Sequence, residues 1–163
     1  MLFRSDARAA ALVHRMRHTP GPLQYPLAAL RAIATYAPAR FALRVDDEEL
    51  DLEAGMVVIA NSGYYGKGMH VAPDARLDDG LLDVVLVAAA SRSRLVRSFP
   101  SIYGGTHVQR PEVTVLRGRR IEIAARPSQG AGPGVDVGAD GEPLGVLPGL
   151  EGPSAVVEAV PAA

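Results

Sequence analysis

The sequence predicts a mainly β domain, β-sandwich-like or barrel-like, with two N-terminal helices, and so α+β overall. Three observations carry that expectation. The apolar period changes from three-and-four to two after Pro38. Residues 56–60 and 81–87 are continuous apolar runs, as in strands buried on both faces. Residues 112–116 and 120–124 alternate apolar and polar side chains.

The elements follow in order. Residues 6–17 carry alanines with Leu12, Val13 and Met16 and read as a first helix, ended by Thr19-Pro20-Gly21-Pro22. Leu23, Leu27, Leu30 and Ala34 recur at helical spacing until Pro38 and give a second, amphipathic helix. Phe41, Leu43 and Val45 then share one face of a strand, and the acidic run 46–49 suits a hairpin tip leading to Leu50 and Leu52. A short helix is expected over 92–100. Arg117-Gly118-Arg119 reads as a tight turn between two strands, and 128–134 as a flexible Gly/Pro loop.

The totals bound the function. A chain of 163 residues buries one sizeable core, so 1–163 is read as a single domain. A net charge of −1 gives no bulk reason to expect nucleic acid or an anionic membrane. The absence of cysteine removes disulfides, thiolate metal sites and cysteine nucleophiles, and is compatible with the cytoplasm. Arg4 and Asp6 interrupt any secretory signal, and no apolar run nears the roughly 20 residues that span a bilayer.

Several familiar motifs fail. His14 and His18 have zinc-protease spacing, but Arg15 stands where the glutamate is needed. A P-loop ending at Gly66-Lys67 needs Gly at 61 and Ser or Thr at 68, where Asn61 and Gly68 stand. A calcium loop from Asp74 finds its glycine one residue late, at Gly80, and Val85 in place of the bidentate glutamate. Ser62 lacks the glycines of a nucleophile elbow.

Two dense stretches hold. One runs from Asn61-Ser62-Gly63-Tyr64-Tyr65-Gly66-Lys67-Gly68-Met69 through Ala72-Pro73-Asp74-Ala75 to Asp78-Asp79-Gly80-Leu81-Leu82-Asp83. It joins two buried strands. The other, Asp140-Gly141-Glu142-Pro143, is a turn carrying two carboxylates, and taken alone is an ordinary hairpin tip. Gly105-Thr106-His107-Val108, with Pro111 and Val113, lies between them.

In this order the motifs resemble the diacylglycerol kinase and lipid kinase family, to which the sphingosine kinases are related. Ser5-Asp6-Ala7 and the helix from Tyr25 to Tyr36 match its earlier pattern, so the resemblance covers nearly the whole chain. It implies a two-lobe protein of which this chain is the C-terminal β-sandwich lobe. The N-terminal lobe, with the glycine-rich "GGDGT" motif that binds ATP, is absent from the sequence. The chain alone is then expected to be inactive. The complete enzyme would be a phosphotransferase acting on a diacylglycerol-like lipid hydroxyl in phospholipid biosynthesis.

By the same resemblance Glu142 is the general base for the lipid hydroxyl, and Asp140 fixes the turn or faces the nucleotide. An equal reading makes Asp140 a turn residue only. Asp79 would hold Mg2+ through its carboxylate, with the carbonyls of Arg76 and Leu81, bracing the loop. The other reading is an Asp79-Gly80 turn without metal. The implied partners are the lipid substrate, the missing nucleotide lobe and a transient membrane contact, with no nucleic acid. The implied location is cytoplasmic and peripheral to the membrane, and oligomeric state is left open, a homodimer included.

The chain departs from the family pattern at Lys67, where glycine is usual, in its longer Gly/Pro loop before Asp140, and in stopping at Pro161-Ala162-Ala163. Two rival readings are a stand-alone lipid-binding or regulatory module and NAD-kinase-like chemistry, the latter opposed by the lipid-type motif string. Which lipid is phosphorylated is not legible in the sequence.

Overall fold

The computed structural model describes residues 2–3, 37–65, 68–128, 134–140 and 142–160. The two helices expected before Pro38 lie outside the described residues. The described part is mainly β. Its strands are β1 (Leu2–Phe3), β2 (Ala39–Val45), β3 (Glu48–Ala60), β4 (Leu82–Ala88), β5 (Val113–Gly118), β6 (Arg120–Pro127), β7 (Asp136–Ala139), β8 (Glu142–Val146) and β9 (Ala155–Glu158). One helix, α1 (Arg92–Ser98), continues into a 3₁₀ turn at Phe99–Ile102, and a second 3₁₀ turn covers Thr106–Gln109.

β2 and β3 form the expected hairpin, with Val45 opposite Glu48 and Asp46 in a left-handed conformation (φ 51°) that aspartate tolerates. β3 is longer than the sequence suggests. Leu50 and Leu52 belong to the same strand as the apolar run 56–60, and a register shift between Ala54 and Met56 bends it. Its first half pairs with β2, while Val57 and Val58 pair with β1 and the whole second half with β4. The sheet then runs β8-β7-β1-β3-β2-β6-β9, with β4 and β5 branching from β3, and every pairing is antiparallel.

Alternation builds the main core. Phe41, Leu43 and Val45 of β2 and Ile121, Ile123 and Ala125 of β6 meet Val57 and Ile59 of β3, Val84 and Leu86 of β4, and Val137 of β7. This is sandwich packing, with inward side chains from both halves of the bent sheet. The outward side chains Val58 and Val85 form a second cluster beneath Val71 and Ala72 of the 61–81 segment, with Ile102 packed beside them. The two apolar runs are therefore buried on both faces, as their composition predicts.

One expectation needs correction. Arg117-Gly118-Arg119 does not close a hairpin, because β5 pairs with β4 and β6 pairs with β2. The chain turns a corner there instead. Gly118 is required at this corner: a Cβ would stand 2.6 Å from Val45 Cγ1 and 3.0 Å from Asp46 Oδ2. Asp46 secures the corner by accepting the N–H of Arg119 at 2.9 Å and of Arg120 at 2.8 Å.

Candidate functional site

The motifs fall in two places. The first is the long segment between β3 and β4, which folds back over the outer face of those strands. Gly80, at φ 67°, allows the turn that lets Leu81 donate its N–H to Asp79 Oδ1 at 3.0 Å. Arg117 of β5 hydrogen-bonds the other oxygen, Asp79 Oδ2. The same guanidinium lies beside Asp83, its cross-strand partner, with Nε 3.3 Å from Oδ1.

Asp83 is the most exacting member of this trio. Its side chain is 1% exposed, and neither carboxylate oxygen receives a hydrogen bond. Burial pushes its pKa up from the usual carboxylate value, and Arg117 pulls part of the way back. Asp79 shifts the other way, held down first by the Leu81 N–H and then by Arg117. Arg117, between two carboxylates, is raised. In the sequence Asp83 figures only as the end of the first motif and Arg117 only as part of a turn, and neither is marked as a site residue. Only cross-strand register, which places 117 opposite 83, could have paired them.

Arg76 takes no part in this trio; its side chain makes an exposed ion pair with Asp78 at 3.5 Å. A cation at Asp79 would have to share the carboxylate with two donors already in place. The donor set still fits a hard ion, since an ionised carboxylate offers about four lone-pair positions. With Asp83 beside it, Arg117 does not make the locality positive. Among the described residues no three His, Asp or Glu side chains form a metal cage, so backbone carbonyls and water would complete the shell.

The same segment carries an imidazole pair. The His70 ring stacks on Tyr64 with centroids 4.3 Å apart, and the His70 backbone N–H donates to the Ile102 carbonyl at 3.0 Å. Gly105 admits the ring: a Cβ there would stand 2.9 Å from His70 Nδ1, and its φ is 69°. His107, buried, pairs through Nε2 with the Val71 carbonyl at 3.0 Å. Its pKa is lowered by burial, against the opposing pull of that carbonyl. The Gly105–His107 motif therefore clamps the segment to the face of β3 and β4.

The second place is the β7–β8 hairpin. Ala139 stands opposite Glu142, Asp140 sits at the tip with φ 50°, and both Asp140 and Glu142 are exposed. Aspartate tolerates the left-handed backbone that Asp140 adopts at this tip. β8 pairs with β7 alone and is exposed throughout, Leu144 and Val146 included. The hairpin lies at one end of the strand order, whereas Asp83 and Arg117 face each other across β4 and β5, which branch from β3. The chain presents two separate elements.

Fold and motifs define a β-sandwich lobe of the lipid kinase type. The sequence model of the YegS C-terminal NAD kinase beta sandwich-like domain matches residues 3–163, and the chain belongs to that family. A diacylglycerol kinase of Mycobacterium tuberculosis (strain ATCC 25618 / H37Rv) is 34% identical over 151 residues, covering 92% of this chain and 45% of that protein. A diacylglycerol kinase of Bacillus subtilis (strain 168) is 21% identical over 129 residues, covering 79% of this chain and 41% of that protein. The fold is shared with the crystal structure of a candidate diacylglycerol kinase from Bacillus anthracis str. Sterne. The TM-score is 0.59 at 19% identity, covering 91% of this chain and 45% of that one. The chain thus spans less than half the length of these relatives.

Proposed function

We propose that the chain is the C-terminal lobe of an ATP-dependent lipid kinase that phosphorylates a diacylglycerol-like hydroxyl and needs a separate nucleotide-binding lobe for activity. The observation that carries this reading is the exposed β7–β8 hairpin, which presents Glu142 beside Asp140 in a chain of this family.

Phosphoryl transfer depends mainly on positioning and on charge. Glu142 would accept the proton of the lipid hydroxyl as its oxygen bonds to the γ-phosphorus of ATP and the bond to ADP breaks. Asp140, two residues before the start of β8, fixes the turn that aims Glu142. The role of Asp79 is to hold the end of the 61–81 segment through Leu81 and Arg117. Magnesium, where bound there with the carbonyls of Arg76 and Leu81, would supply a further brace. No helix among the described residues is long and apolar enough to cross a membrane.

The test joins this chain to the part of the Mycobacterium tuberculosis relative that it does not cover, and follows phosphate transfer from ATP to diacylglycerol. Glu142→Gln should lower turnover at least a hundredfold, within the range general-base groups contribute (about 10²–10⁴). Near-normal turnover in that variant removes Glu142 from the chemistry.

A further inference from the structure

The chain's net charge of −1 conceals an uneven distribution. Between Asp83 and Glu112 there is no acidic residue, while Arg92, Arg94, Arg97 and Arg110 all fall in that span. The structure places most of it in α1 and the two 3₁₀ turns, and α1 buries none of its residues. Arg94 and Arg97 are exposed and one helical turn apart, so they project on the same side. Val96, 44% exposed, and Tyr103, 41% exposed, add apolar and aromatic surface to the arginines. Leu95 and Ser98 are only partly buried, so the helix gains little from packing on the domain, and its exposed Val96 is available to something else.

We infer that this helical segment is a docking surface for an anionic lipid bilayer. Arginine charges without acidic neighbours in the sequence complement negatively charged headgroups. The exposed Val96 and Tyr103 suit the boundary between headgroup and acyl chain, where aromatic rings settle. The segment is also tied to the first motif. The Ile102 carbonyl accepts the His70 N–H at 3.0 Å, and His107 Nε2 meets Val71 at 3.0 Å. A bilayer seated on α1 therefore lies next to the segment that carries Asp79. For its purpose the surface rests on the proposed lipid chemistry, but vesicle binding is measured without ATP or turnover.

The experiment sediments the whole chain with vesicles of phosphatidylcholine alone, and of phosphatidylcholine with an equal part of phosphatidylglycerol. The chain should bind the second and not the first, and release as salt rises. Arg94→Glu with Arg97→Glu should weaken binding by at least about tenfold, since each basic residue near such a surface contributes several-fold. Arg119→Glu makes the same kind of charge change just beyond the Gly118 end of β5, a strand about 20 Å long, and should release far less. Unchanged thermal unfolding of each variant shows that the fold is intact; should the double glutamate variant unfold, Arg94→Gln with Arg97→Gln replaces it. Equal binding to both vesicle types, full binding by the double variant, or capture by nucleic acid in preference to the vesicles would overturn the inference. Failure of the unaltered chain to bind anionic vesicles removes the docking surface and leaves the kinase reading to its own assay.

Discussion

Arg117 and Asp83 face one another across β4 and β5, and the single guanidinium also holds Asp79 at the end of the neighbouring segment. A charge buried to 1% exposure has no other partner among the described side chains. Removing the arginine should therefore do more damage than its partly exposed position suggests. Arg117→Met is expected to lower stability by about 3 kcal/mol in urea unfolding, the scale for stranding a buried carboxylate. Asp83→Asn, which removes the charge and leaves a polar group, should lose less. A loss for Arg117→Met no larger than that of an exposed ion pair, under about 1 kcal/mol, would show that Asp83 does not depend on Arg117.

The two aspartates also set opposite pH responses. Asp79 has a lowered pKa, so its contribution is present above about 4 and lost as pH falls through the lower folded value. Asp83 has a raised one, so stability is greatest below about 4 and declines as pH rises through the folded value. Unfolding free energy measured from pH 3 to 7 should lose that upper decline in Asp83→Asn and keep it in Asp79→Asn.

His107 gives a third window. Its pKa is lowered by burial, so its contribution is complete above about 6.5 and is lost as pH falls from there. Protonation would put a charge beneath the 61–81 segment, next to His70. Proteolysis of that segment at pH 5 and 7.5 should show faster cleavage at the lower pH.

Gly118 and Asp46 secure the corner between β5 and β6, and they can be separated. Gly118→Ala forces a methyl within 2.6 Å of Val45 and should destabilise by about 2 kcal/mol. Asp46→Asn keeps an acceptor for the Arg119 and Arg120 amides and tolerates φ 51°, so it should lose about 1 kcal/mol or less. Thermal unfolding reads both.

Asp140 can be tested apart from Glu142. At φ 50° a glycine relieves strain, so Asp140→Gly should hold stability within about 0.5 kcal/mol, while Asp140→Val should lose about 1 kcal/mol or more. In the joined enzyme, a fall in turnover for Asp140→Gly at unchanged stability would assign the carboxylate a part beyond the turn.

What the sequence made legible follows from local physics. Alternation marked β2, β5 and β6, continuous apolar runs marked β4 and the inner half of β3, and Asp140-Gly141 marked a hairpin tip. The helix expected over 92–100 is α1 with its 3₁₀ continuation. Leu2–Phe3 and Ala155–Glu158 are too short to show a period, and they become strands only because β3, β7 and β6 offer them open edges. The corner at Gly118 was hidden because a turn's residues do not say which strands will pair. For the site, family resemblance supplied Asp79 and Glu142, while Arg117 needed the register.

β3 takes part in both halves of the sandwich along one unbroken stretch, with its bend at the middle. Neither half can open without pulling at the backbone of the other. Heat and denaturant should thus meet a single all-or-none transition, and the amides of Val57 and Ile59 should be among the last to exchange with deuterium. The strand sets the domain's cooperative unit, and a break at its bend would divide one melting event into two.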